Sequence, residues 1–73
     1  MPYVLVAYDI GSDAKRERAR RRLQARGYLR LQKSVYIAPG GSAEAKEAAA
    51  MLKPLLDPGD RLLVLVVPGS SMS

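Results

Sequence analysis

Two uninterrupted apolar runs, Tyr3 to Tyr8 and Leu62 to Val67, stand near the two ends of the 73-residue chain. Both are apolar at odd and even positions alike, the pattern of a strand buried on both faces. Asp9 ends the first run and Gly11-Ser12 breaks the chain. Ser12 is placed as an N-cap, with Asp13 in the first turn where a carboxylate favours the helix dipole. The spacing predicts a helix from there to about Arg26, closed by Gly27 just past its end. Its apolar stripe is thin: Ala19 and Leu23, helped by Ala14. Tyr28 to Gln32 and Ser34 to Ala38 read as two short strands, although Lys33 is not a turn residue and one bulged strand fits the same pattern. Pro39-Gly40-Gly41 is a loop, and Ser42 caps a second helix from Ala43 to about Lys53 that buries Ala45, Ala48, Ala49 and Leu52. Pro54 ends or kinks that helix, and Asp57-Pro58-Gly59 turns the chain into the last apolar run.

The order is therefore βαββαβ, an α+β ferredoxin-like arrangement with a four-stranded antiparallel sheet and both helices on one of its faces. One domain over residues 1–68 is expected, with 69–73 a flexible end. Because the first and last strands are apolar on both parities, the face without helices is apolar too. A two-fold homodimer that packs these open faces together would cover it. No apolar run approaches the roughly 20 residues of a membrane-spanning helix, and the expectation is a cytoplasmic protein with no membrane partner.

Composition changes the picture in two ways. There is no Cys and no His, which excludes Ser-His-Asp and Cys-His catalysis and the usual zinc ligand sets. The charge is also segregated. Ala14 to Lys33 holds nine basic residues and one acid, a net +8, whereas the rest has three bases against six acids, a net −3. Lys15, Arg18, Arg22 and Arg26 recur at i, i+3, i+7 and i+11 as one cationic ridge, with Arg16 and Arg20 in a second beside it. Clustered Arg with few interleaved acids is the footprint of a polyanion, and its fork suits phosphate. The other reading of such a segment is a solvated helix face.

Asp9 is the one carboxylate placed for chemistry, at the end of a strand and just before a basic helix. It either caps the loop before the helix or holds a hard cation such as Mg²⁺, which takes one or two protein carboxylates and completes its shell with water and phosphate. A dimer axis near the strand ends would bring two copies of Asp9 together. Tyr8, Tyr28 and Tyr36 either stack on bases or pack in the strands. Ser34 is either a phosphate donor or a strand-edge hydroxyl. Pro39-Gly40-Gly41-Ser42 lacks the ending of a phosphate-binding loop and reads as a hinge.

Three separated segments carry a resemblance: Tyr8-Asp9-Ile10, then Ser12-Asp13 opening a helix with Lys15-Arg16 and Arg20, then Leu31-Gln32-Lys33-Ser34-Val35-Tyr36. In order and spacing they resemble the CRISPR-associated protein two family. The match runs to about Pro39, with Leu31 where members carry Val or Ile; beyond it only the βαβ rhythm is shared. The resemblance implies a ferredoxin-like homodimer that bridges dimers of the integrase subunit, CRISPR-associated protein one. In that complex it would hold duplex DNA by its backbone during spacer integration. It also implies metal-dependent endonuclease activity on single-stranded RNA or duplex DNA. On that resemblance Asp9 is the catalytic residue and the ligand of Mg²⁺, or of Mn²⁺ in its place. Arg16, Arg30, Ser34 and Tyr36 fall on positions linked with nucleic acid, beside the helix cations Lys15, Arg18, Arg20, Arg22 and Arg26. Members run longer, with a C-terminal strand that crosses to the partner or docks on the integrase; this chain ends at Pro68 to Ser73, where that strand would begin, either by truncation or by loss of the tail. Two other readings stand beside this one: a toxin-like metal-dependent ribonuclease resembling virulence-associated protein D, and a small interaction domain without a nucleic-acid role.

Overall fold

In the computed structural model, which describes residues 1–72, the chain forms β1 (Tyr3–Asp9), α1 (Asp13–Ala25), β2 (Leu29–Gln32), β3 (Val35–Pro39), α2 (Ser42–Leu52) and β4 (Arg61–Val67). A 3₁₀ turn over Lys53–Leu55 follows α2, and another over Gly69–Met72 follows β4; Ser73 lies outside the described residues. The strands make one antiparallel sheet in the order β2-β3-β1-β4. The ferredoxin-like expectation therefore holds.

Strand parity decides what each residue meets. Val4, Val6 and Tyr8 of β1 are buried against Ala19 and Leu23 of α1 and Ala48 and Leu52 of α2, with Leu55 closing the cluster. Both helices thus lie on one face. The odd positions Leu5 and Ala7 point the other way, opposite Leu65 and Leu63 of β4 and Ile37 and Val35 of β3. On that face Leu29, Leu63 and Leu65 are themselves 66%, 51% and 43% exposed, so the sheet is apolar on both sides.

Local chemistry adjusts several boundaries. The Tyr28 N–H donates to the Leu23 carbonyl and the Gly27 N–H to that of Gln24. Both bonds belong to the helix C-cap, and Gly27 has the positive φ (86°) that this cap requires. Tyr28 is therefore a capping residue and β2 starts at Leu29. Lys33-Ser34 is a real two-residue turn without positive φ. A bulge at Leu31 accommodates it, the register slipping between Arg30↔Tyr36 and Gln32↔Val35. Ser42 is not the cap of α2 but its first residue: Gly41 is the cap, and its N–H donates to Glu44 Oε1 at 2.6 Å. Ala14 is exposed, since it lies about 140° around α1 from Ala19 at 3.6 residues per turn. Ala45 and Ala49 are only half-buried. With two buried residues, Ala19 and Leu23, α1 depends on polar contacts to an unusual degree.

Candidate functional site

Asp9 closes β1 on the open face of the sheet, exposed, directly opposite Arg61 of β4. The segment after it is pinned at three points. Arg16 Nη1 donates to the Ile10 carbonyl at 3.0 Å, the Gly11 N–H donates to Asp60 Oδ1 at 3.1 Å, and Ser12 Oγ accepts from the Lys15 N–H at 3.3 Å. Ile10 itself is buried. Asp60 also accepts from the Asp57 N–H at 2.8 Å. These two backbone donors, Asp57's first, hold its carboxyl below the usual carboxylate range.

Three adjoining hollows meet around Tyr8. The largest, about 630 Å³, runs over the open face between Ala7, Asp9, Asp60, Arg61, Leu62 and Leu63. A small one of about 220 Å³ joins Asp9 to Arg16, Lys33 and Ser34. The third, about 310 Å³, is a basic cleft between α1 and the β2–β3 turn, lined by Asp13, Arg16, Glu17, Arg20, Arg30 and Lys33. In it Arg16 is ion-paired with Asp13. Arg20 grips both oxygens of Glu17 and also donates to Gln24. The hydrogen bond from Arg20, with the charges of Arg20 and Arg21, takes the Glu17 carboxyl down to about 2. Arg30 donates to the carbonyls of Gln32 and Lys33 and so braces the turn, without an acidic partner among the described residues.

The four-residue ridge is not one cationic face. Lys15 is bonded to Asp57 at 2.5 Å, Arg22 donates to the Met51 carbonyl at 2.9 Å, and Arg26 is ion-paired with Glu47. Three of the four ridge positions therefore stitch α1 to α2 and the turn that follows it. Only Arg18 stays exposed with no such contact among the described residues.

Tyr36 is a further correction. It is completely buried, its ring stacked on Tyr8 at 5.9 Å between centroids, and its hydroxyl accepts from that of Tyr8 at 3.4 Å. Neither ring offers a face to a base. Burial, with Tyr36 beside it, pushes the Tyr8 phenol well above its ordinary range. Ser34 lies at the turn, half-buried, its carbonyl accepting from the Tyr8 N–H at 3.1 Å. The site thus gathers Asp9, Arg16, Arg20, Arg30 and Ser34 and leaves Lys15, Arg22 and Arg26 at the helix seam. Sequence reasoning missed Lys33 as a site residue and missed Asp60 and Arg61 altogether. The Lys33-Ser34 turn could have revealed the first, but the others need the β1–β4 register.

The donor set suits one kind of metal. Among the described residues no group of three His, Cys, Asp or Glu side chains converges, and both Asp60 oxygens are engaged by backbone N–H groups. Asp9 remains as an exposed carboxylate with no ion-pair partner among the described residues. That fits a hard cation that keeps most of its waters and shares phosphate with a substrate, and it does not fit an all-protein metal cage.

A family model described as CRISPR associated protein Cas2 matches residues 1–73. A protein of Aeropyrum pernix named CRISPR-associated endoribonuclease Cas2 is 52% identical over 73 residues, which is 99% of this chain and 79% of that one. A protein of the same name from Thermofilum pendens is 41% identical over 64 residues, 88% of this chain and 69% of that one. The crystal structure of a hypothetical protein from Thermus thermophilus superposes with a TM-score of 0.76 at 30% identity, covering 92% of this chain and 82% of that one. The family model spans the whole chain and one relative shares more than half its residues, so the chain belongs to the Cas2 family.

Proposed function

We propose that the protein is a metal-dependent endonuclease of phosphodiester backbones, acting as a homodimer on single-stranded RNA. One observation carries the reading: the carboxylate of Asp9 shares a hollow with Arg16, Lys33 and Ser34, two cations and a hydroxyl suited to a phosphate. The names of the relatives support RNA as substrate. The chain's own groups bind and orient. Arg16 and Lys33 neutralise a phosphate, Ser34 donates to one of its oxygens, and the continuing cleft with Arg20 and Arg30 takes the neighbouring phosphates. Asp9 would hold Mg²⁺, or Mn²⁺ in its place, which when bound supplies an acidified water and charge neutralisation at the phosphoryl group. The apolar open face, with Leu63 and Leu65 exposed, supports a two-fold partner that brings a second Asp9 near the first.

The test is Asp9→Asn in protein free of contaminating nucleases. RNA cleavage is expected to fall by at least about 100-fold while binding of the same RNA stays within a few-fold, since catalytic groups commonly contribute 10²–10⁴. Cleavage retained by this variant would overturn the reading.

A second reading, backbone holding of duplex DNA beside the integrase subunit during spacer integration, is favoured by Arg18. It is exposed outside the cleft and bonded to no acid among the described residues, and so available to a longer polyanion. Arg18→Glu is expected to weaken duplex binding several-fold and to leave RNA cleavage unchanged; unchanged duplex affinity at low salt would discard it.

A further inference from the structure

We infer that Asp60 is a positioning residue for the phosphate site: it fixes the plane of the Ile10–Gly11 peptide, and through that peptide it aims the Arg16 guanidinium at a phosphate beside Asp9. The inference rests on the proposed nuclease reading, in which the hollow of Asp9, Arg16, Lys33 and Ser34 takes a phosphate, and deepens it by one residue.

One peptide unit held at both ends carries it. The carbonyl of that unit, belonging to Ile10, accepts from Arg16 Nη1 at 3.0 Å. Its N–H, belonging to Gly11, donates to Asp60 Oδ1 at 3.1 Å. A peptide is planar and rigid, so a bond at each end fixes the orientation of the whole unit. The carboxylate on the N–H also polarises the carbonyl, which strengthens its hold on the guanidinium. The other partner of Arg16 is Asp13, an exposed residue of the same helix, and a pair of that kind fixes a long side chain poorly. The Ile10 carbonyl is therefore the anchor that sets where Arg16 points.

The bond from Gly11 serves neither of the elements it joins. Asp60 Oδ2 accepts from the Asp57 N–H at 2.8 Å, and the Asp60 N–H donates to the Asp57 carbonyl at 3.0 Å. The turn before β4 is thus closed without Oδ1. Ser12 caps α1 and Gly11 precedes that cap, so the helix start does not need the Gly11 bond either. What Oδ1 holds, across 49 positions of chain, is the segment between Asp9 and Arg16. Nothing in this role requires Asp60 to be accessible, so it persists when a two-fold partner covers the open face.

The test is a double-mutant cycle on the whole chain, read as binding of a short fluorescent single-stranded RNA without divalent metal. Wild type, Asp60→Ala, Arg16→Gln and the combination are compared, with Asp57→Asn as control. By charge alone, removing a carboxylate beside the site tightens RNA binding. Asp60→Ala is instead expected to weaken it by about three- to tenfold, the worth of one hydrogen bond. In the Arg16→Gln background it should add less than about twofold, because residues that act through one another are not additive. Asp57→Asn removes an equal charge from the same turn and breaks its bond to Lys15; it lowers the unfolding midpoint and does not weaken binding. Asp60→Asn, with one accepting oxygen for two donors, shows a smaller loss and enters the same cycle if the alanine variant does not fold. Binding by Asp60→Ala that is unchanged or tighter, or a loss repeated in full in the Arg16→Gln background, overturns the inference. So does an Arg16→Gln variant that binds as wild type does. The two ideas fail separately. Cleavage that survives Asp9→Asn removes the nuclease reading, and the metal-free cycle still decides the role of Asp60. Asp9-dependent cleavage with an additive cycle removes only that role.

Discussion

The two sides of α1 carry the same residue type and use it differently. On the side facing α2, Lys15, Arg22 and Arg26 meet Asp57, the Met51 carbonyl and Glu47. Three cations face two acids there, and each cation reaches another element. On the side facing the β2–β3 turn, Arg16, Arg20, Arg30 and Lys33 face Asp13 and Glu17, four cations against two acids. The acids in this cleft come from α1 itself, three residues before their partners. Such surface pairs within one helix are weak and exchangeable. The seam uses Arg as structural glue because α1 buries only Ala19 and Leu23. The cleft instead keeps a surplus of positive charge beside Asp9. Basic residues counted along a sequence do not separate these two uses; the element each one reaches does.

The sharpest way to break the comparison is to remove the two cleft cations that no acid neutralises. Arg30→Gln with Lys33→Gln is expected to weaken single-stranded RNA binding by about tenfold or more. The salt slope should fall by about 1.4, two phosphate contacts' worth. Both residues are exposed; Lys33→Gln should leave stability within about 0.5 kcal/mol, and Arg30→Gln should cost about 0.5–1.5 kcal/mol through the lost brace on the turn. Unchanged affinity and slope would show that the surplus charge is only a solvated surface.

Much of the fold was legible because each signal was local. The two apolar runs, Ser12 as N-cap, Gly27 after the helix and the Pro54 stop each act within a few residues, and together they give βαββαβ. The position of Asp9 at a strand end before a basic helix was legible for the same reason. What escaped depends on tertiary neighbours. Helical spacing puts Lys15, Arg22 and Arg26 on one ridge, but only the placement of α2 turns that ridge into a seam. Val35-Tyr36-Ile37-Ala38 is apolar on both parities, so sequence could not say which face Tyr36 took; the register with Val6 puts it under the helices. Arg61 becomes a neighbour of Asp9 only through pairing across 52 positions of chain, a register that no short-range pattern encodes. Gly41 replaced Ser42 as cap because the helix starts one residue earlier than the Ser42 signal suggests, where Glu44, three residues on, accepts from the Gly41 N–H.

A smaller effect, of opposite sign, should follow from freeing a cleft arginine. Glu17→Gln removes the acid that grips Arg20, and RNA binding is expected to tighten by a few-fold at moderate salt, because an incoming phosphate no longer displaces a carboxylate. The same exchange has a pH signature. The folded-state pKa of Glu17 lies near 2, below its ordinary 4.5. Its pairing with Arg20 therefore stabilises the fold fully above about 4.5, and that contribution is lost as pH falls toward 2. Wild type should lose stability through that window more steeply than Glu17→Gln, read as unfolding midpoints at successive pH values. Identical acid limbs would mean the pair is already open in solution.

The smallest effect is expected at the seam. Arg26 and Glu47 form an exposed pair, their side chains 49% and 60% accessible, and such pairs contribute about 0–1 kcal/mol. For a domain of this size that corresponds to a drop of at most about 8 °C in Tm for Arg26→Gln. RNA affinity and its salt slope should not change, because the guanidinium that is lost was facing α2 and not the cleft. The informative outcome is the combination: a lower Tm with an unchanged slope keeps seam and cleft apart as two uses of one helix. A slope that fell as it does for a cleft residue would return Arg26 to the ridge that its spacing first suggested, and would extend the phosphate-binding surface from the cleft to the α2 side of α1.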